Sequence, residues 1–320
     1  MRKLELAIGA IFLAAFAYTG WQWWGPGPLA KPATVEIPDG ATLGQASEIL
    51  ADHGAIDGLG PEWYYLSRLF GSGDPIQAGE FEIPKGASGS AVLDLLQHGR
   101  PIQRLITVTE GMPSIIVAEK LAANQFLTGA VPAIGEGTVL PDSYGYERGE
   151  ARAAVVRRMQ AAMTKTLDQL IPKNSGKCPV SSRQEVVTLA SIVEKETGKA
   201  SERRMVAGVY CNRLRIGMKL DADPTVIYPI TKGKPLGRRI RRSELMAQTG
   251  YNTYRQPGLP IGPIANPGRE SIAAVMNPED TKAIYFVADG TGGHVFAETF
   301  QQHQANVQRW YAIRRQRGEM

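Results

Sequence analysis

Leu189-Ala-Ser-Ile-Val-Glu-Lys-Glu-Thr197 sets two carboxylates, Glu194 and Glu196, in the last turn of an apolar helical run. A carboxyl group beside apolar surface resists ionisation, and a glutamic acid still protonated near neutral pH can protonate a leaving oxygen. That is chemistry suited to cutting a glycosidic bond. At about 100° per residue, Val186, Ala190 and Val193 mark the apolar centre of the helix, with Leu189 and Ile192 on one flank and Val187 on the other. Glu196 falls on the Leu189 and Ile192 flank, Glu194 on the Val187 flank, and Lys195 faces outward. Periodicity alone leaves both glutamates as candidates. Two features favour Glu196: Gly198 ends the helix just beyond it, where a substrate can approach, and its flank carries the larger apolar side chains. The competing reading pairs both glutamates with Lys195, Lys199 or Arg203, as helix charges commonly do.

Other residues could complete such a site. Tyr251-Asn252-Thr253-Tyr254 offers flat apolar faces and hydrogen-bonding groups in four residues, as a glycan groove needs. Asp223-Pro-Thr225 reads as a loop in which Pro224 holds Asp223 extended. Asp223 could orient a sugar or stabilise positive charge at a reacting carbon, and Thr225 could donate to an acetamido oxygen; as a competing reading, both are common turn residues.

Several chemistries are disfavoured. The histidines, His53, His98, His294 and His303, are scattered without a ligand pair, so no metal or other cofactor is expected. There is no G-x-S-x-G elbow, no S-x-x-K around Ser191 and no phosphate-binding loop. A net charge of +5 with no basic, aromatic-interleaved stripe argues against nucleic acid as a partner. The basic run Gly237-Arg-Arg-Ile-Arg-Arg242 reads as a solvated loop or as a weak attraction to anionic lipid or other carboxylate-bearing surface.

The elements that must carry the site follow from the pattern of the chain. Its 320 residues, 43% of them apolar, suffice for one large or two ordinary domains. Arg2 and Lys3 precede an apolar run that reaches Trp21, Trp23 and Trp24, and Leu4 to Trp24 supplies the roughly 20 residues of a bilayer span. Interfacial Trp and inward positive charge predict a single-pass membrane anchor, residues 1–24, with everything after it outside the cytoplasm. A cleaved signal peptide ending near Ala15-Phe-Ala17 is the alternative. Residues 25–33, rich in Pro and Gly, predict a stiff tether.

From 34 to 100 the pattern predicts strand, helix, strand, helix, with Thr42 and Ser88 as caps. The region 101–320 opens with the strand Leu105–Thr109. Helices are predicted over Ala151–Leu170, Arg183–Thr197 and Glu202–Leu214, with a loop at Leu140–Tyr144. After Ile264 come a helix, the strand Ala283–Val287 and a C-terminal helix. Cys178 and Cys211 are too few for a disulfide framework; Cys211 reads as a small core residue, with a bridge between the two as the alternative.

Downstream of the glutamates lie Ser201-Glu-Arg203, Val209-Tyr-Cys-Asn-Arg-Leu-Arg-Ile-Gly217, Asp223-Pro-Thr-Val-Ile-Tyr228, Tyr251-Asn-Thr-Tyr254 and Gly258-Leu-Pro-Ile-Gly-Pro-Ile-Ala265. In this order and spacing the set resembles the YceG-like family of endolytic murein transglycosylases, from about Val35 to the C-terminus. Leu140-Pro-Asp-Ser-Tyr144 resembles the family's proline-aspartate-threonine-tyrosine segment, with Ser143 at the threonine position. The resemblance implies an α+β protein: a transmembrane helix, a small LysM-like subdomain, and a larger catalytic domain with a lysozyme-like helical site. It implies Glu196 as the acid, assisted by Glu194 or Asp223, because Glu196-Thr197 is similar to the Glu-Ser pair that closes an apolar helix in soluble lytic transglycosylases and goose-type lysozymes.

Asn212, Thr225, Tyr251, Asn252, Thr253 and Tyr254 are the substrate-binding residues so implied. The expected activity is cleavage between N-acetylmuramic acid and N-acetylglucosamine within nascent strands, leaving 1,6-anhydro ends and ending polymerisation. Peptidoglycan strands, membrane lipid and peptidoglycan synthases are the partners this implies. A non-catalytic wall-binding scaffold and a hydrolytic muramidase using Glu194, Asp223 or Glu202 as a second carboxylate are the alternatives.

Overall fold

The computed structural model describes residues 2–58 and 60–319, without the side chains of residues 2–8, 12 and 15. It divides into two units, one of residues 1–104 with 145–149, the other of 105–144 with 150–320.

In the first unit, α1 (Arg2–Trp24) is followed by β1 (Ala33–Ile37), α2 (Leu43–Asp52), α3 (Gly60–Phe70), β2 (Gly79–Ile83) and α4 (Gly89–His98). β1 and β2 pair antiparallel, Ala33 opposite Ile83 and Ile37 opposite Gly79. Val35, Ile37, Phe81 and Ile83 point into a core closed by Leu50, Trp63, Val92 and Leu96. Thr42 caps α2 in a reciprocal capping box with Gln45, and Ser88 caps α4. The sequence pattern missed α3. Its buried Trp63, Leu66 and Ser67 share a helix face between polar and aromatic neighbours that blur the apolar period.

No helix among the described residues is long and apolar enough to cross a membrane. The expected span from Leu4 to Trp24 rests in part on side chains outside the described residues. Trp23, within it, is buried in the core of the first unit. The stretch at 25–33, expected as a stiff tether, is held by backbone hydrogen bonds. Gly27 N–H donates to Gly86 O at 3.1 Å and Gly86 N–H to Leu29 O at 3.0 Å, which straps this stretch to the unit.

In the second unit come β3 (Arg104–Thr107), α5 (Ser114–Ala123), β4 (Ser143–Tyr146), α6 (Arg152–Leu170), α7 (Arg183–Glu196), α8 (Arg203–Arg215), α9 (Asp223–Thr231), α10 (Arg242–Leu245), α11 (Arg269–Met276), β5 (Tyr285–Ala288), β6 (His294–Ala297) and α12 (Phe300–Gln316). β3 and β4 each contribute residues to both units. Part of the loop expected at Leu140–Tyr144 is therefore strand. β5 and β6 form an antiparallel hairpin.

α7 begins at a capping box between Ser182 and Glu185 and packs on α8, α9 and α11. Leu189, Ala190, Ile192 and Val193 are wholly buried there, beside Val206, Tyr210, Ile264 and Val275. Cys178 and Cys211 form a disulfide with Cα atoms 4.8 Å apart; Cys211 is a core residue, as read, and the bridge is the alternative of the two readings. Pairing depended on proximity across a separation of 33 residues, which periodicity does not encode. A closed loop of that length stabilises the fold by about 3–4 kcal/mol in the chain-entropy account.

Candidate active site

Glu194 and Glu196 leave the last turn of α7 toward different surroundings. Glu194 accepts a hydrogen bond from Gly268 N–H at 2.8 Å on Oε2, and its Oε1 lies 3.5 Å from Arg203 Nη2. Its side chain is 6% exposed, so this carboxylate is shut away from substrate. Arg203 also reaches Glu110 at 3.3 Å. Gly268 is glycine for a spatial reason: a Cβ there would lie 2.1 Å from Glu110 Oε1.

Glu196 is half-buried, and among the described residues no hydrogen bond reaches its carboxyl group. Burial pushes its pKa up to about 7, the negative charge of Asp223 pushes the same way, and the Arg213 guanidinium opposes both. Such a group is still about half protonated at neutral pH and free to donate. Arg213 is held in place by two carbonyls, donating from Nε to Ile284 O and from Nη1 to Leu220 O, both at 2.7 Å.

The chain beyond Glu196 is pinned. Thr197 Oγ1 donates to Val193 O at 2.6 Å and closes the helix. Gly198 permits close approach by the β5–β6 turn, since a Cβ there would lie 2.8 Å from Gly292 O. Lys199 Nζ bonds Thr291 Oγ1 at 2.9 Å, and Glu202 Oε2 meets His294 Nδ1 at 2.8 Å. Glu202, a candidate second carboxylate, is committed to this clamp.

Asp223 stands in the first turn of α9, not in the extended loop expected. Pro is well tolerated in a first helical turn, where its missing N–H has no intrahelical partner to lose. Asp223 Oδ1 accepts from Tyr254 Oη at 2.7 Å. Two further contacts continue this antiparallel seam between α9 and residues 251–254: Thr225 Oγ1 with Thr253 Oγ1 at 2.9 Å, and the Tyr228 and Tyr251 rings with centroids 4.8 Å apart.

The seam divides the expected substrate residues. Tyr251 and Tyr254 are half-buried and keep part of their surface open. Thr225 and Thr253 are fully buried, and Asn252 is 1% exposed with its amide donating to Leu245 O and Ala247 O. Asn212 donates to Thr281 O at 2.8 Å and Ala283 O at 3.0 Å. The expectation of substrate contact by Asn212, Thr225, Asn252 and Thr253 is corrected, because their polar atoms are spent on the scaffold.

The structure adds residues the sequence reading passed over. Tyr210 is buried where the charges of Glu196 and Asp223 are felt, and burial holds its phenol well above the ordinary range. Asp221, at φ +48°, occupies a left-handed conformation, and burial raises its carboxyl while Arg213 and Lys219 oppose. Burial also raises Glu136, which accepts from Ser114 N–H at 2.9 Å and bonds Tyr228. Tyr210, Arg213 and Tyr228 lay inside motifs already quoted; Asp221 and Glu136 stood outside them without a periodic signal.

A YceG-like family model matches residues 35–309. The chain belongs to the YceG-like family. It is similar to the endolytic murein transglycosylase of Bacillus subtilis strain 168, with 26% identity over 88% of this chain and 86% of that protein. It is 28% identical to the endolytic murein transglycosylase of Streptococcus pneumoniae D39, over 87% of this chain but 58% of that longer protein. A crystal structure of a YceG-like protein from Listeria monocytogenes shares the fold, with TM-score 0.55 and 23% identity over 86% of this chain and 98% of that one.

Proposed function

We propose that this protein is an endolytic murein lytic transglycosylase with Glu196 as its acid. The observation that carries this reading is a carboxyl group with a pKa near 7 at the open end of a buried helix, in a chain whose relatives are named for that activity. Protonated Glu196 donates to the glycosidic oxygen as the bond from N-acetylmuramic acid to N-acetylglucosamine breaks. The carboxylate so formed takes the proton from the muramic acid C6 hydroxyl, whose oxygen attacks C1 and closes a 1,6-anhydro ring. Because the nucleophile belongs to the substrate, one enzyme acid serves both steps. Asp223 keeps Glu196 protonated and places negative charge near the carbon that becomes positive, with Tyr254 orienting it. Tyr251 and Tyr254 offer ring faces to sugar.

In this reading the site resembles the helix-end acid of lysozyme-like enzymes, the first unit is LysM-like, and α1 anchors the chain in the inner membrane with both units in the periplasm. The substrate is then a nascent strand beside peptidoglycan synthases, and cutting ends its growth. Asp223 also favours a second reading, a hydrolytic muramidase with this carboxylate as base.

Mass spectrometry of fragments released from purified peptidoglycan tests both. Products ending in 1,6-anhydro sugar, lost in Glu196→Gln, are expected. Reducing ends mean a hydrolase, and no cleavage by the wild type removes the enzymatic reading in favour of a binding scaffold.

A further inference from the structure

The first unit exposes an aromatic surface that the reaction does not use. On α3, Tyr65 and Leu69 are one turn apart and 70% and 71% exposed, with Phe70 at 41% and Arg68 exposed beside them. The Phe70 ring lies 5.2 Å from that of Trp24, which like Trp21 is about 60% exposed (60% and 62%) at the end of α1. Phe70 joins this part of α3 to the end of α1, whose Ile11, Leu13 and Phe16 are also exposed.

The end of α1 is part of the unit and not a tethered leash. Trp23 is buried in the core, its ring 6.3 Å from Phe70. Gln22 bonds Glu62 of α3 at 3.4 Å, and the strap at Gly27 and Leu29 follows at once. The end of α1 and α3 are therefore joined without an intervening flexible segment.

We propose that this face of α3, with Trp21 and Trp24, is a footing that seats the first unit on the lipid headgroup layer. Trp and Tyr rings partition to that layer, and a neighbouring arginine extends its charged end to phosphate while its stem lies on apolar surface. The proposal rests on the reading of α1 as the anchor. It gives the first unit a task beyond spacing: it fixes the height and tilt at which the unit stands, and so the distance from the membrane at which that unit is held.

The test uses the full chain in nanodiscs of phosphatidylethanolamine and phosphatidylglycerol. The described residues contain no free cysteine, so single thiols at Ile11→Cys, Leu69→Cys and Asp39→Cys can carry nitroxides with the disulfide left intact. Asp39 is the aqueous reference, an exposed residue in the turn that follows β1. Relaxation by oxygen against a water-soluble nickel complex reads depth. A label at 69 with an oxygen preference several-fold above that at 39, and below that at 11, supports the footing. A label at 69 as aqueous as at 39, with 11 in lipid, overturns the footing and leaves the anchor standing. Aqueous labels at both 11 and 69 overturn the anchor and the footing together. A label at 69 shielded from both relaxants overturns it in favour of a protein partner.

Discussion

Two glutamates two residues apart at the end of α7 have been given opposite electrostatic fates. The Glu194 side is a filled site: a backbone N–H on one oxygen, an arginine on the other, and almost no exposure. The Glu196 side is left without a hydrogen bond among the described residues, with a carboxylate near it and the opposing cation, Arg213, restrained by two carbonyls. Both arginines, Arg203 and Arg213, come from α8. One is brought into contact and the other acts through space. Compensation holds a charge and favours structure; withheld compensation raises the pKa and favours proton donation.

The largest effect should come from removing the acid. Glu196→Gln is expected to lower turnover by about 10²–10⁴-fold, the usual range for a general acid, with the melting temperature at pH 4 unchanged. Turnover within a few fold of wild type would end the assignment. Glu194→Ala is expected to act on stability instead, costing about 2–3 kcal/mol because it leaves Gly268 N–H without its acceptor and takes from Arg203 one of the two carboxylates it meets. Denaturant titration measures this, and a stable, inactive Glu194→Ala protein would reverse the two roles.

The contrast also has a pH signature. Activity that needs protonated Glu196 should fall as pH rises through about 7. Removing the Asp223 charge withdraws an upward push on that pKa, so Asp223→Asn should move the falling limb to lower pH. Stability follows the same sign. A carboxyl raised from 4.5 to about 7 on folding contributes stability below pH 4.5 that is lost as pH rises through 7. Glu196→Gln should therefore melt higher than wild type at pH 8 and alike at pH 4, read by calorimetry. The smallest effect is expected for Tyr254→Phe, which removes the hydrogen bond to Asp223 and should cost about fivefold in kcat/KM.

Much of this was legible because it is local. The bounds of α6 and α7, the caps at Thr42 and Ser88, and the apolar stripe beneath Glu194 and Glu196 follow from helical period and capping chemistry. The groove residues were read less well. Asn and Thr are polar whether they meet a sugar or a carbonyl, so Asn252 and Thr253 looked like Tyr254 until burial separated them.

By itself, the sequence determined that a helix would end in two carboxylates on different flanks and that aromatic and polar groups would be available nearby. Those facts depend on neighbours within a turn or two. Tertiary structure alone decided which carboxylate is neutralised, because Gly268 and Arg203 arrive from 74 residues downstream and from the next helix. It likewise joined Cys178 to Cys211, turned Asp223 into the start of a helix beside Glu196, and buried Trp23 with the first unit. Ionisation energies depend on distance in space, and only the folded chain sets that distance.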